Sequence, residues 1–184
     1  FAIGLRDTPD AHLLAVGSRT QSGAEAFAAE FNIPRQYGSY EAVAADPDVD
    51  VIYIGTPHPM HYETAMLCLQ AGKPVLLEKP FALNAGQAEA LIHFAREKRI
   101  FLMEAMWTRF TPVMAKVRDV LSAGTLGAVR MVQADFGFRA PFDPRHRLFA
   151  PELGGGALLD VGIYPVSFAA MVFGQQPSAI VSSA

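Results

Sequence analysis

The chain has 184 residues, 51% hydrophobic and 18% charged, and its 15 basic and 18 acidic residues leave a net charge of −3. That much apolar material excludes disorder as the main state, and the length alone fits a single domain. The charge balance provides no extended positive field for a nucleic-acid backbone or an acidic membrane surface.

The opening residues, Phe1-Ala2-Ile3-Gly4-Leu5, show neither a basic leader nor a cleavage site and do not start with methionine. The chain is therefore expected to be part of a longer one. Over roughly the first hundred residues, short apolar runs alternate with longer amphipathic stretches, which is the rhythm of a parallel α/β sheet. A strand is expected at 12–17 and a helix at 24–31, ending before Pro34. The β-branched run 49–55 predicts a strand stopped by Thr56-Pro57. A helix at 61–71 follows, with Gly72 at its end, where the left-handed backbone favours glycine. Next come a strand at 74–78, a helix at 84–98 with Asn84 as N-cap, and a strand at 100–104. Cys68, the one cysteine, lies in the apolar run Ala65-Met66-Leu67-Cys68-Leu69. It cannot form an internal disulfide and reads as a buried thiol in a reducing, cytoplasmic compartment.

After about residue 106 the pattern changes. A helix is expected at 111–122, a long alternating strand-like run at 127–138, and a loop at 140–152 rich in proline and arginine. Gly154-Gly155-Gly156 leads into an apolar helix at 157–173, then a strand-like 178–183. Strands with segregated helices suggest an α+β unit. The charge-free segment 161–174 is shorter than the roughly 20 residues of a membrane span and contains Pro165, so a buried helix is expected and no membrane.

Ligands of an open parallel sheet bind beyond the carboxyl ends of its strands, so the residues after each strand are the ones to weigh. After the first comes Ser18-Arg19-Thr20. An acidic residue there would hold the ribose hydroxyls of NAD, whereas arginine among hydroxyls suits a 2′-phosphate, favouring NADP; a capping serine beside a solvated arginine gives the same pattern. After the second stands Gly55-Thr56-Pro57-His58-Pro59-Met60-His61, either a cofactor-lining loop with Thr56, Pro57, His58 and His61 or a plain turn. Its two histidines lack a third ligand at workable spacing, so no metal is expected. The third junction, Glu78-Lys79-Pro80, puts a lysine on a stiff backbone that can fix its ammonium over a ligand, although strand-end lysines are commonly solvated. In the second half, Asp160 and Tyr164 are four residues apart and share a face if the segment is helical. Buried in so apolar a stretch, each needs a partner, which a helix cap would also supply.

Glu78-Lys79-Pro80, the segment from Met103 to Phe110 and the segment from Gly154 to Val166 together resemble the Gfo/Idh/MocA family of pyridine-nucleotide oxidoreductases, in order and spacing across nearly the whole chain. Tyr164, where many members carry histidine, and Trp107 make it most similar to the branch of dihydrodiol, xylose and glucose-fructose oxidoreductases. The resemblance implies a Rossmann-type domain over 1–106 and an α+β domain with an open, antiparallel-rich sheet over 107–184, the latter binding substrate and pairing subunits into a homodimer or larger homo-oligomer. It assigns proton transfer to Lys79 and Tyr164 and places Asp160 at the substrate. It makes Trp107 and Phe138 walls of the substrate pocket, puts Arg19 on the 2′-phosphate, and lines the cofactor site with Ser18, Thr20, Thr56, Pro57, His58, His61, Glu78 and Lys79. The implied substrates are sugars, polyols or dihydrodiols, with NADP, or alternatively NAD, as cofactor.

The chemistry is coherent. Oxidising a carbinol removes a hydride and a proton, and the nicotinamide takes only the hydride, so a base is needed beside the hydroxyl. Free tyrosine, titrating near pH ~10, is a poor base, but a neighbouring ammonium such as that of Lys79 favours phenolate. The family's opening strand and Gly-x-Gly-x-x-Gly loop are absent from these residues, and the chain is expected to begin inside the first helix and stop within the second domain. The alternative function is a non-catalytic nucleotide sensor or scaffold; a reductase of non-sugar carbonyls is a further enzymatic reading.

Overall fold

The computed structural model describes residues 1–5 and 7–182. The chain divides into two compact units, Phe1–Glu104 and Ala105–Ala184.

In the first unit, helix α1 (Ala2–Leu5) precedes strand β1 (Ala15–Gly17), helix α2 (Gln21–Phe31), strand β2 (Arg35–Tyr37) and helix α3 (Tyr40–Ala45). Strand β3 (Ile52–Ile54), helix α4 (His61–Gln70), strand β4 (Val75–Leu77), helix α5 (Ala85–Lys98) and strand β5 (Leu102–Glu104) follow. Every strand pairing is parallel. β1 lies beside β2 with Val16 opposite Gln36, and β3, β4 and β5 form a second ladder in which Tyr53, Leu76 and Met103 align.

Local sequence explains the helix limits. Asn84 Oδ1 accepts the Gln87 N–H at 3.0 Å, as an N-cap at that position should. α4 ends where Gly72 adopts φ +78° and Lys73 N–H reaches back to Cys68 O at 2.9 Å, a left-handed close that a Cβ would strain. α2 starts earlier than its apolar pattern suggests, because Thr20 caps it by accepting the Gly23 N–H at 3.1 Å.

The pair β2 and α3 departs from the expected rhythm. Arg35-Gln36-Tyr37 has no apolar signal, and its pairing depends on contacts distant in sequence. The Arg35 guanidinium binds both Asp46 oxygens at 2.8 and 2.9 Å and Asp48 at 2.7 Å, while the Tyr37 hydroxyl donates to Asp46 at 2.9 Å. These donors, Arg35 first, hold the Asp46 carboxyl below the usual carboxylate range. Lys73 Nζ fastens the same corner by donating to the carbonyls of Asp46 and Val49.

The core of this unit is built on Leu69, Leu77, Leu91, Val75, Ile54 and Cys68, all nearly inaccessible. Burial pushes the Cys68 thiol up to about 11, so it is an inert apolar filler. Where α3 crosses β1, an added Cβ at Gly17 would lie 2.6 Å from Val43 Cγ1, so the close approach needs glycine.

The second unit contains helix α6 (Pro112–Ser122), capped by Thr111 with proline at its first position, and helix α7 (Ile163–Phe173). Immediately before α7 the chain makes a π turn, Leu158–Gly162, correcting the regular α-helix expected from residue 157. The run 127–138 forms no strand, and among the described residues this unit contains none. Alternation supplies faces, but a ladder also needs a partner strand, and none is available to it here. Of the strand-like 178–183, residues 178–182 are irregular, and Ser183 lies outside the described residues.

The expectation of a buried apolar helix needs correction: only 6% of the apolar window within Pro151–Phe173 is buried. Val166 and Phe173 remain 55% and 40% exposed.

Candidate functional site

In the first unit the candidate residues gather in the loops beyond the carboxyl ends of the strands, and cross-strand contacts make those loops one platform. Tyr53 Oη donates to Glu78 Oε1 at 2.7 Å, and Glu78 Oε2 accepts the Lys79 N–H at 3.0 Å. Glu78 therefore fixes the backbone that carries Lys79. Burial, with this carboxylate beside it, raises the Tyr53 phenol well above its ordinary value. The loop after β5 joins in, because Glu104 Oε1 accepts the Phe81 N–H at 2.9 Å.

His61 binds the platform from below. Its Nδ1 lies 2.7 Å from Pro80 O and its Nε2 2.8 Å from Thr56 O, tying the loop after β3 to the loop after β4. At 1% exposure the ring is buried, and its contacts join the two loops.

Ser18, Arg19 and Thr20 occupy the junction between β1 and α2, with Arg19 exposed. His58 opens a 3-10 turn over His58–Met60 and meets the His61 ring edge to face at 5.6 Å. Thr56 Oγ1 is buried and has no hydrogen-bond partner. An orphaned hydroxyl at a strand end is what a site completed by another polar group leaves. With Arg19 exposed at the end of β1, the residues present fit a pyridine nucleotide.

In the second unit the structure brings three aromatic residues together. Trp107 lies in a 3-10 turn, Trp107–Phe110, and its Nε1–H donates to Tyr164 Oη at 3.0 Å, with the rings 5.9 Å apart and steeply inclined. Phe136 covers another side of the phenol at 4.7 Å. Phe138, expected as a wall of the substrate pocket, is 60% exposed. The two phenylalanines share one face of an alternating run, so periodicity alone does not say which of them meets the phenol. Thr108, Arg109, Phe136, Tyr164 and Phe168 line a shallow pocket of about 190 Å³ beside the phenol.

Asp160 sits in the π turn, 7% exposed, and Arg147 Nη1 donates to its Oδ1 at 3.0 Å. Sequence reading placed Arg147 only in an arginine-containing loop and gave no reason to single it out. Among the described residues, no group of three or more His, Cys, Asp or Glu side chains is placed to hold a metal.

Residues 2–106 match the oxidoreductase family with an NAD-binding Rossmann fold, and residues 114–184 match the GFO/IDH/MocA C-terminal domain. The chain is 45% identical over 185 residues to trans-1,2-dihydrobenzene-1,2-diol dehydrogenase of Xenopus tropicalis, covering 99% of this chain and 56% of that protein. It superposes on the aldose-aldose oxidoreductase of Caulobacter crescentus with a TM-score of 0.85 at 30% identity, covering 94% of this chain and 53% of the other. A 3-ketoreductase of Actinomadura kijaniata, solved with NADP and TDP-benzene, gives a TM-score of 0.76 at 31% identity, with 94% and 52% covered. The chain thus spans about half the length of the relatives it matches. Its parallel Rossmann-like unit and the family C-terminal domain that follows make it a member of the Gfo/Idh/MocA oxidoreductase family.

Proposed function

We propose that the full protein is an NADP-dependent dehydrogenase that moves a hydride between the nicotinamide and a carbinol of a trans-dihydrodiol, sugar or polyol. The observation that carries this reading is the phenol of Tyr164. It is gripped by an indole N–H and an aromatic face, which is how a proton-transfer group is held in one rotamer. The name of the 45% identical relative supports dihydrodiols as substrates.

The nicotinamide, when bound, supplies or accepts the hydride. The chain's own residues do the rest. Tyr164 takes the carbinol proton in oxidation and returns it to the alkoxide in reduction. The Trp107 N–H stabilises the phenol oxygen as its charge develops. Lys79 is the second residue of proton transfer. Asp160 orients the reacting hydroxyl. Arg19, exposed at the end of β1, recognises the 2′-phosphate; NADP in the solved Actinomadura relative is in keeping with that choice. Residues 1–106 hold the cofactor, and 107–184 belong to an α+β domain that binds substrate and pairs subunits through an antiparallel-rich sheet. The enzyme works in the cytoplasm as a homodimer or larger homo-oligomer.

The test is steady-state assay of the full-length protein with NADP and NAD against aldoses, polyols and trans-dihydrodiols, alongside Tyr164→Phe. Loss of a positioned proton-transfer group lowers kcat by ~100-fold or more. Near-wild-type turnover by Y164F overturns the role of Tyr164. Tight NADPH binding with no turnover of any substrate indicates a nucleotide sensor instead.

A further inference from the structure

We propose that Arg147 is a positioning residue for the reaction: it keeps the Asp160 carboxylate ionised and in one orientation for the substrate hydroxyl. This rests on the reading of Asp160 as the residue that orients substrate.

Asp160 is the acidic residue of an otherwise apolar turn, Leu158–Gly162, and its side chain is only 10% exposed. A carboxyl so placed takes up a proton unless a cation compensates its desolvation. The Arg147 guanidinium, 3.0 Å from Oδ1, supplies that charge at any working pH. Arg145, close by in the same loop, is directed to Asp143 at 3.8 Å.

The loop is built to deliver Arg147. The N–H groups of Phe149 and Ala150 both reach His146 O, at 2.9 Å each. Gly155 N–H returns to Ala150 O and Gly156 N–H to Leu148 O, also at 2.9 Å. Ala150 is fully buried, and a Cβ at Gly155 would stand 2.7 Å from both Ala150 O and Phe149 C. The backbone carrying Arg147 is therefore clasped to the glycine turn that leads into the Asp160 turn. The Arg147 side chain itself is 57% exposed. A pair open to water on one side adds little to folding stability, so fold maintenance is a weak reason for the arrangement, and control of Asp160 a strong one.

The test measures kcat/KM against pH in the direction of carbonyl reduction, in which Tyr164 donates its proton and so contributes no acidic limb, for the full-length enzyme and for Arg147→Met, Arg147→Gln, Arg147→Lys and Asp160→Asn, with thermal melting of each. In R147M the acidic limb moves to higher pH by roughly one unit and activity below it falls about tenfold, while Tm stays near wild type. R147Q keeps a hydrogen-bond donor without the charge, gives the same displacement, and answers the question should R147M not fold. R147K restores most of the limb. A wild-type pH profile in both R147M and R147Q overturns the proposal. Asp160→Asn with wild-type activity overturns instead the reading of Asp160 on which the proposal rests.

Discussion

Replacing Trp107 with phenylalanine removes one N–H and keeps an aromatic edge near Tyr164. The bond lost is 3.0 Å long and ends on the oxygen proposed to gain and lose the proton. A hydrogen bond onto a neutral acceptor contributes ~0.5–1.5 kcal/mol and one onto a charged acceptor ~1.5–3 kcal/mol. Only the difference between the two acts on proton transfer, because the neutral contact is present before and after. Trp107 is 54% exposed, so water competes for the donor and the low end applies, ~1 kcal/mol. At 1.36 kcal/mol per factor of ten, that is about fivefold in kcat for reduction, the direction in which charge develops on the phenol oxygen. The assay is steady-state kcat and KM of W107F in both reaction directions. If Trp107 serves only as a pocket wall, KM rises and kcat is unchanged, and that result refutes the reasoning.

Two predictions concern the fold that carries the site. Gly17→Ala forces a methyl to within 2.6 Å of Val43 Cγ1, and overpacking of this kind costs about 1–3 kcal/mol. Melting curves should show a Tm lower by roughly 2–12 °C, recovered in part by Val43→Ala in the same chain; an unchanged Tm would mean that α3 shifts without cost. The Asp46 carboxyl titrates below its unfolded value, so its contribution is fully present above the unfolded pKa and is lost as pH falls through the lower folded one. Asp46→Asn should therefore melt at lower temperature at neutral pH and lose less Tm on acidification than wild type, and parallel acid profiles would contradict this.

The parallel α/β rhythm, the caps at Asn84 and Gly72 and the junctions at Ser18, Thr56 and Lys79 could all be read from local pattern. Each depends on residues a few positions apart: an apolar run, a side chain that caps its own helix, a glycine at a left-handed position. β2 escaped because nothing in Arg35-Gln36-Tyr37 favours a strand until Asp46 and Asp48 pair with Arg35, and a sequence does not advertise which of its carboxylates a given arginine meets. The contact of Phe136 with Tyr164 escaped for a related reason: Phe136 and Phe138 both fit the alternation, and only packing brings one of them onto the phenol.

The sequence by itself determined which residue types stand at the strand ends and in what order, because those depend on local periodicity and spacing. Tertiary structure decided what each one touches. It buried His61 between two carbonyls, set Glu78 to hold the Lys79 backbone, turned the Trp107 N–H onto Tyr164 and brought Arg147 to Asp160. A hydrogen bond or ion pair acts only over a few ångströms, and residues far apart along the chain come within that range only once the backbone has folded.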